Sequence, residues 1–399
     1  MPDVMIIGGG HVGITLLADL VNTAKLHQKK VALVLFGGRD QDIGTRIRPW
    51  LNPLTMSSII DGSETEVQLT ADHFMALDSP QTMRGLAAAR HIVITVPDIP
   101  ALRMPLLSRL LGEIDLSGKT LLLVRAGQAG QPVVAEFVRT RRELEHTSVV
   151  LVEDSFYGTR VDAGNRINYK RKLAVNVAVY SRDATRVMRD LRELFPLGAA
   201  IGQQSWPEFV VRDGVEILFD PLGYIIHTAV ALAERNLSRT RAGIRYTHYI
   251  DGIDQELAHR VQLLDRERVA LASAFGVQAE TYPQIIERQY GVPAVDDYYE
   301  MLQSCSGIYK SLSHGSIDAL KRSRFVLEDI PPLYTMEWLA NSAGVDIPHT
   351  RSFAESVWKT TASLGLEPAS FGGYRPTLSD IKSEPQYIRD LLNTPHGLT

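Results

Sequence analysis

Thiols are nearly missing from this 399-residue chain, and its one cysteine, Cys305, excludes an internal disulfide, a thiolate metal cluster and a dithiol redox pair. A strong excess of one charge is missing as well. Lys and Arg number 42 against 46 Asp and Glu, a net charge of -4, which argues against a broad nucleic-acid surface and leaves room only for a local basic pocket for a small anion. No apolar run approaches the roughly eighteen residues of a membrane span. Met1-Pro2-Asp3 leads directly into an apolar stretch, without the basic-then-apolar layout of a secretory signal, so no membrane is expected and the expected location is cytoplasmic. Repeats and low-complexity tracts are also missing, and turns such as Phe371-Gly-Gly-Tyr374 look like ordinary connections. What the chain does have is 45% hydrophobic residues, enough for a large core, over a length that suggests about two domains.

The most informative stretch is Val4-Met-Ile-Ile-Gly8-Gly-Gly10-His11-Val12-Gly13, followed by Ile14-Thr-Leu-Leu-Ala-Asp-Leu20 with helical spacing. It reads as a strand, a glycine turn and a helix start. In a dinucleotide-binding unit the first glycine permits a tight turn, the second lets backbone approach a pyrophosphate, and the third lets the helix pack on the strand. The free N–H groups and the positive dipole end at His11 and Val12 then face the phosphates. Glycine clusters often mark only turns, but the strand before this one and the helix after it both agree with a cofactor site. Val96 and Pro97, at the end of a later strand, are placed on the same cofactor side.

Strand-like and helix-like segments alternate through the first half, the pattern of a parallel sheet covered by helices. Apolar runs at 31–36, 91–96, 120–124, 148–152 and 173–180 read as strands, and 99–112, 132–144 and 183–194 as helices. Beyond about residue 200 the strand signal fades. Helical patterns follow at 214–237, 251–275, 281–290, 295–305, 333–343, 350–364 and 378–392. The expected architecture is α/β, with a Rossmann dinucleotide-binding domain over 1–200 and an all-helical domain over 201–399.

The end of the second strand speaks to the choice of nicotinamide cofactor. Chains that prefer NAD usually carry Asp or Glu there to accept from the ribose 2′-hydroxyl. This chain has Phe36-Gly-Gly-Arg39-Asp40, with Asp40 several residues late and Arg46 and Arg48 close behind. Arg39 and Arg46 suit a 2′-phosphate, so NADPH is favoured over NADH. A solvated loop face, or contact with substrate, is the other use for these arginines.

Three features of a hydride-transfer site follow. His227 lies in Phe219-Asp-Pro-Leu-Gly-Tyr-Ile-Ile-His-Thr-Ala-Val-Ala-Leu232, where apolar surroundings and a carboxylate would tune it as a general acid or base. The stretch taken alone suits a hydrogen-bonded core histidine better. Arg324-Phe-Val-Leu-Glu-Asp329-Ile-Pro-Pro offers a guanidinium for a carboxylate and a carboxylate to orient an imidazole, although a charged helix end is the commoner use. Val124-Arg-Ala-Gly-Gln128-Ala-Gly130 and Glu153-Asp-Ser-Phe-Tyr-Gly-Thr-Arg160 follow strands, where loops of parallel sheets meet ligands.

Taken in order, these segments resemble the opine dehydrogenases, the octopine and nopaline dehydrogenase family. The resemblance runs from Val4 to about Thr350, through the glycine turn, the Gly-Gln-x-Gly loop, the acidic segment closing in Tyr-x-x-Arg, Ile-Ile-His, Arg-Phe-x-x-Glu-Asp-x-Pro and Gly344-Val-Asp-Ile-Pro348-His-Thr350. It implies reductive condensation of an amino acid, or an amine derived from one, with a 2-oxo acid such as pyruvate or 2-oxoglutarate. It also implies that His227 is the catalytic histidine, Asp329 its partner and Arg324 the receiver of the amino substrate's carboxylate. Gln128 would lie near the keto acid, and Arg160 with the substrate. Two positions depart from the family: Thr228 stands where Pro is common and Asp220 where Asn is. An anionic Asp220 at the site would favour a cationic amino donor or repel a second carboxylate. The Gly158-Thr-Arg160 turn and the basic loop around Arg39 also fit the metallophore-forming branch of the family. No metal site is expected, and a homodimer is left open.

Two other readings share the Rossmann signal. Reductases of a simple 2-oxo or 3-hydroxy acid often use a catalytic lysine on a helix of the second domain, whereas the first helix of that domain here offers His227 and no lysine. A dinucleotide sensor would bind cofactor and do no chemistry.

Overall fold

The computed structural model describes residues 2–27, 30–35, 43–126, 130–162, 165–195, 206–310, 312–366 and 378–395. Arg39, Gln128 and the turn at 371–374 lie outside them. In chain order the first half runs β1 (Val4–Ile7), α1 (His11–His27), β2 (Val31–Leu35), α2 (Ile43–Ile47), β3 (Leu54–Ser58), β4 (Glu64–Val67), β5 (Phe74–Ala76), α3 (Pro80–Ala88), β6 (His91–Ile94), α4 (Pro100–Glu113), β7 (Thr120–Leu123), α5 (Gln131–Thr140), β8 (Ser148–Val152), β9 (Tyr157–Val161), β10 (Arg166–Arg171), β11 (Ala174–Tyr180), α6 (Ala184–Leu194) and β12 (Glu208–Val211). The second half is helical: α7 (Gly214–Phe219), α8 (Gly223–Leu232), α9 (Glu234–Arg241), α10 (Gln255–Ala274), α11 (Tyr282–Tyr290), α12 (Tyr298–Ser304), α13 (Ile317–Lys321), α14 (Arg324–Leu327), α15 (Pro332–Ala343), α16 (Pro348–Ser363) and α17 (Pro385–Asn393).

An eight-stranded sheet forms the centre of the first half, in the order β12-β11-β8-β7-β6-β1-β2-β5. Strands β1, β2 and β8 are buried along their whole length, because helices cover both faces of a parallel sheet and leave no polar side. The sheet is parallel from β5 to β8, but β11 pairs antiparallel with β8, a correction to the all-parallel expectation. The reason is the connection. Between β8 and β11 the chain makes the β9–β10 hairpin instead of a helical crossover, so it returns in the opposite sense.

That hairpin belongs to a second, four-stranded sheet, β4-β3-β10-β9, which has no counterpart in the sequence reading. Its strand β3, Leu54-Thr-Met-Ser-Ser58, alternates buried and half-buried residues and has little apolar content to signal it. The small sheet is tied to α1 by a buried ion pair, Arg171 to Asp19 at 2.5 Å, to which the Tyr157 hydroxyl also donates. It thereby brings Arg160 and Val161 beside His11 at the glycine turn. The main sheet extends to β12, beyond residue 200, and helices take over from Gly214.

The helix expected over 214–237 is broken between Phe219 and Gly223 and again at Ala233. Pro221 has no N–H to donate to the Ile217 carbonyl, and Arg268 of α10 donates to the Phe219 carbonyl at 2.6 Å. Gly214–Leu232 has a mean hydropathy of 1.4, apolar enough by composition to cross a membrane, yet 89% of that stretch is buried inside the protein. The break turns Asp220 and Leu222 toward the cleft between the halves, with His227 one turn further along α8.

Candidate active site

A cavity of about 970 Å³ lies between the sheet domain and the helices. Its first wall is the turn after β1. Gly8 has a φ of +129°, a conformation that side chains rarely adopt, and donates its N–H to Val34. A Cβ on Gly13 would run into the Gly8 carbonyl, so this glycine sets the closeness of α1 to β1 and does not line the cavity. A Cβ on Gly10 would meet no atom within 4 Å and would stand in the cavity. His11, Val12, Arg46, Val96 and Pro97 line the same region. His11 Nδ1 accepts from the Val161 N–H at 2.9 Å, and burial, then Arg160, lowers its pKa, so the neutral ring presents Nε2–H at the start of α1.

Beneath this wall a buried arginine ties two loops together. Arg103 of α4 pairs with Asp98 at 3.0 Å and donates to the Val96 and Val124 carbonyls, while Asp98 accepts from the Gly130 N–H at 3.1 Å. The ends of β6 and β7 are thus held by one guanidinium.

The second wall is helical. On α8, His227 Nδ1 lies 2.8 Å from Asp329 Oδ2, and its Nε2 is bonded to the Tyr249 hydroxyl. Burial lowers the His227 pKa, Arg324 lowers it further and Asp329 opposes both. Burial alone would raise the Asp329 carboxyl, but His227 and the guanidinium groups of Arg324 and Arg125 outweigh it and hold the group below its usual range. An anionic Asp329 beside a neutral ring puts the proton on Nδ1 and leaves Nε2 as acceptor for Tyr249. Gly223, one turn before His227, makes room for this pair: a Cβ there would strike Asp329 Oδ1.

Each residue of the Arg324–Asp329 segment that faces the cleft has its own contact. Arg324 is exposed, lines the cavity and pairs with no described carboxylate. Phe325 stacks on His227 with ring centroids 4.4 Å apart. Glu328 accepts from the Asp98 N–H at 3.2 Å, which joins the helical half to the loop after β6. Arg125, with a φ of 60°, bridges Glu328 at 3.1 Å and Asp154 at 3.3 Å. A further link runs from Arg288 of α11 to Glu153 at 2.6 Å. Arg160 lines the cavity, half-exposed, and lies 3.9 Å from Asp162.

Asp220 also lines the cavity, but it is buried and accepts from Asn176 Nδ2 at 2.8 Å. Burial, and then the charge of Glu153, pushes its carboxyl well above the usual range, so it is a weaker anion than the sequence suggests. The sequence reading missed Arg125, Lys170, Tyr249, Phe325 and Glu328. Arg125, Phe325 and Glu328 had a signal, since all three lie inside segments already singled out.

Residues 210–358 match the alpha-helical domain of the NAD/NADP octopine/nopaline dehydrogenases. A yersinopine dehydrogenase with NADP+ bound superimposes with a TM-score of 0.65 at 13% identity, covering 98% of this chain and 99% of that one. An octopine dehydrogenase with NADH and pyruvate gives 0.64 at 16% identity, covering 99% and 96%. A putative ketopantoate reductase from Ralstonia solanacearum gives 0.55 at 11% identity, covering 92% and 100%. Compared by sequence with curated proteins, the chain matches none. At these identities the structural likenesses speak to the fold, an α/β domain followed by a helical one. Over residues 210–358 the helical half is thus similar to the alpha-helical domain of the octopine and nopaline dehydrogenases.

Proposed function

We propose that this chain joins the amino group of an amino acid, or of an amine derived from one, to a 2-oxo acid and reduces the resulting imine with NADPH in the cytoplasm. The observation that carries the reading is the buried His227–Asp329 pair in a cavity whose opposite wall is the glycine turn. Gly8, Gly10, His11, Val12, Val96 and Pro97 would hold the dinucleotide, with Gly13 setting the helix against the strand. Arg46, and Arg39 by its place in the sequence, favour a 2′-phosphate. When bound, the reduced nicotinamide supplies the hydride.

The neutral imidazole of His227 is the form that takes a proton from an incoming ammonium, and the Tyr249 hydroxyl on Nε2 gives it a path to the cavity. The free amine adds to the keto carbon. The proton held on His227 then passes to the departing hydroxyl, which leaves as water as the nitrogen lone pair closes the C=N bond, giving the protonated imine. Asp329 stabilises the charged ring throughout. Arg324 holds the amino substrate's carboxylate, and Arg160 and Gln128 are placed with substrate by their position in the sequence.

The test is a matrix of amino acids and 2-oxo acids incubated with NADPH or NADH, followed by absorbance loss and product mass. The expected product has the mass of amine plus keto acid, less water and plus two hydrogens. Cofactor consumption without such a product overturns the proposal, and equal affinity for the two cofactors removes the NADPH preference. A second expectation concerns Gly223→Ala. The added methyl displaces the Asp329 carboxylate, and a misplacement of this size lowers kcat on the order of 100-fold. Steady-state rates beside a melting curve that stays near wild type would check it.

A further inference from the structure

The mechanism leaves one buried cation in the cavity unused. Lys170 of β10 is 6% exposed, and its Nζ donates to the Ile308 carbonyl at 2.8 Å. Its remaining surroundings are aromatic. The Nζ lies 4.5 Å from the Tyr290 ring centroid and 4.0 Å from that of Tyr309, and no described carboxylate is within ion-pair distance. The paired strand gives way to it: a Cβ on Gly158 would come within 2.5 Å of Lys170 Cε. Tyr309 packs on Tyr249 with centroids 4.4 Å apart, and Tyr249 holds His227, so Lys170 stands two rings from the imidazole along one cavity wall.

We propose that Lys170, flanked by Tyr290 and Tyr309, is an anion subsite for a substrate carboxylate remote from the carbon that reacts at His227. This rests on the cavity being the opine-forming site and sharpens the substrate class. A buried ammonium facing a cavity without a counter-charge is stabilised when a ligand brings one. Pyruvate has a single carboxylate beside its reacting carbon and cannot reach both places. A 2-oxo dicarboxylic acid carries the second carboxylate that this subsite takes, and the raised pKa of Asp220 lessens the repulsion such a substrate would meet. Burial pushes Lys170 down to about 7, the Cys305 thiol opposes this, and the like charge of Lys172 adds to it. Lys172 is itself held by Asp154 at 2.6 Å, and Tyr290 and Tyr309 are the other titratable groups against the ammonium. Since an anion needs the protonated lysine, its affinity falls as pH rises through about 7.

Calorimetry on the NADPH-bound protein with glutarate and butyrate, neither of which can react, tests this. Glutarate is expected to bind about tenfold tighter than butyrate. Lys170→Met should abolish that margin together with the fall of glutarate affinity between pH 6 and 8. Gly158→Ala, which displaces the lysine side chain, should weaken glutarate while leaving butyrate unchanged. Should Lys170→Met not fold, the wild-type protein must still take up protons on binding glutarate at pH 7.5. Equal glutarate binding by wild type and folded Lys170→Met, or no proton uptake, overturns the proposal. Glutarate binding that behaves as expected in a protein that forms no amine–keto acid product would instead overturn the opine reading alone.

Discussion

His227→Ala is expected to lower turnover by about 100- to 10,000-fold while leaving NADPH affinity close to wild type. The separation follows from the geometry. His227 and Asp329 sit on the helical wall, whereas the residues proposed to hold the dinucleotide come from the glycine turn and the loop after β6. Stopped-flow measurement of imine reduction, beside fluorescence titration with NADPH, reads the two effects separately. Turnover within a few-fold of wild type would remove His227 from the chemistry. Loss of cofactor binding in parallel would mean that the substitution had collapsed the cleft instead of removing a proton carrier. Asp329→Asn should lie between alanine and wild type, because the amide keeps a partner for Nδ1 but no longer stabilises a charged ring.

Arg103→Ala carries the largest expected effect on stability, about 3–5 kcal/mol, because it strands Asp98 without its counter-charge in a buried place. Arg103 is 1% exposed, and it also caps the Val96 and Val124 carbonyls at the ends of two central strands. The midpoint of urea unfolding should fall accordingly. A loss below about 1 kcal/mol would show that water reaches Asp98 and that the pair is less dry than its geometry implies. Arg103→Leu is the instructive companion. It keeps the packing of the stem and loses the charge, so the difference between the two variants separates shape from electrostatics.

The central strands and the two-part architecture were legible because both depend on local pattern. Apolar runs such as Ser148–Val152 are buried on both faces, and nothing polar interrupts them. The small sheet was not legible, since β3 and β4 are short and mostly polar, and β3 pairs with β10, far along the chain. His227, Arg324 and Asp329 stood out because their surroundings in the sequence resemble a known order of motifs. Lys170 and Tyr249 did not, because nothing beside them in the chain reveals their partners. Arg125 meets Glu328, and Lys170 meets Ile308, only once the two halves are together. Arg103 reads as one more charge on an amphipathic helix, and only its burial identifies it as an anchor.

The last described helix, α17, has consequences for how the chain is made. It does not extend the helical half outward but returns to the sheet domain, where Tyr387 donates to Glu136 of α5 at 3.1 Å and Asn393 caps the Val215 N–H at 3.0 Å. During synthesis, α5 therefore leaves the ribosome some 250 residues ahead of its partner. Until that partner arrives, part of its apolar face stays open to chaperones or to other nascent chains. The two halves of this protein are then poor candidates for separate expression: a fragment ending near residue 210 would keep its central strands but lack the element that covers α5.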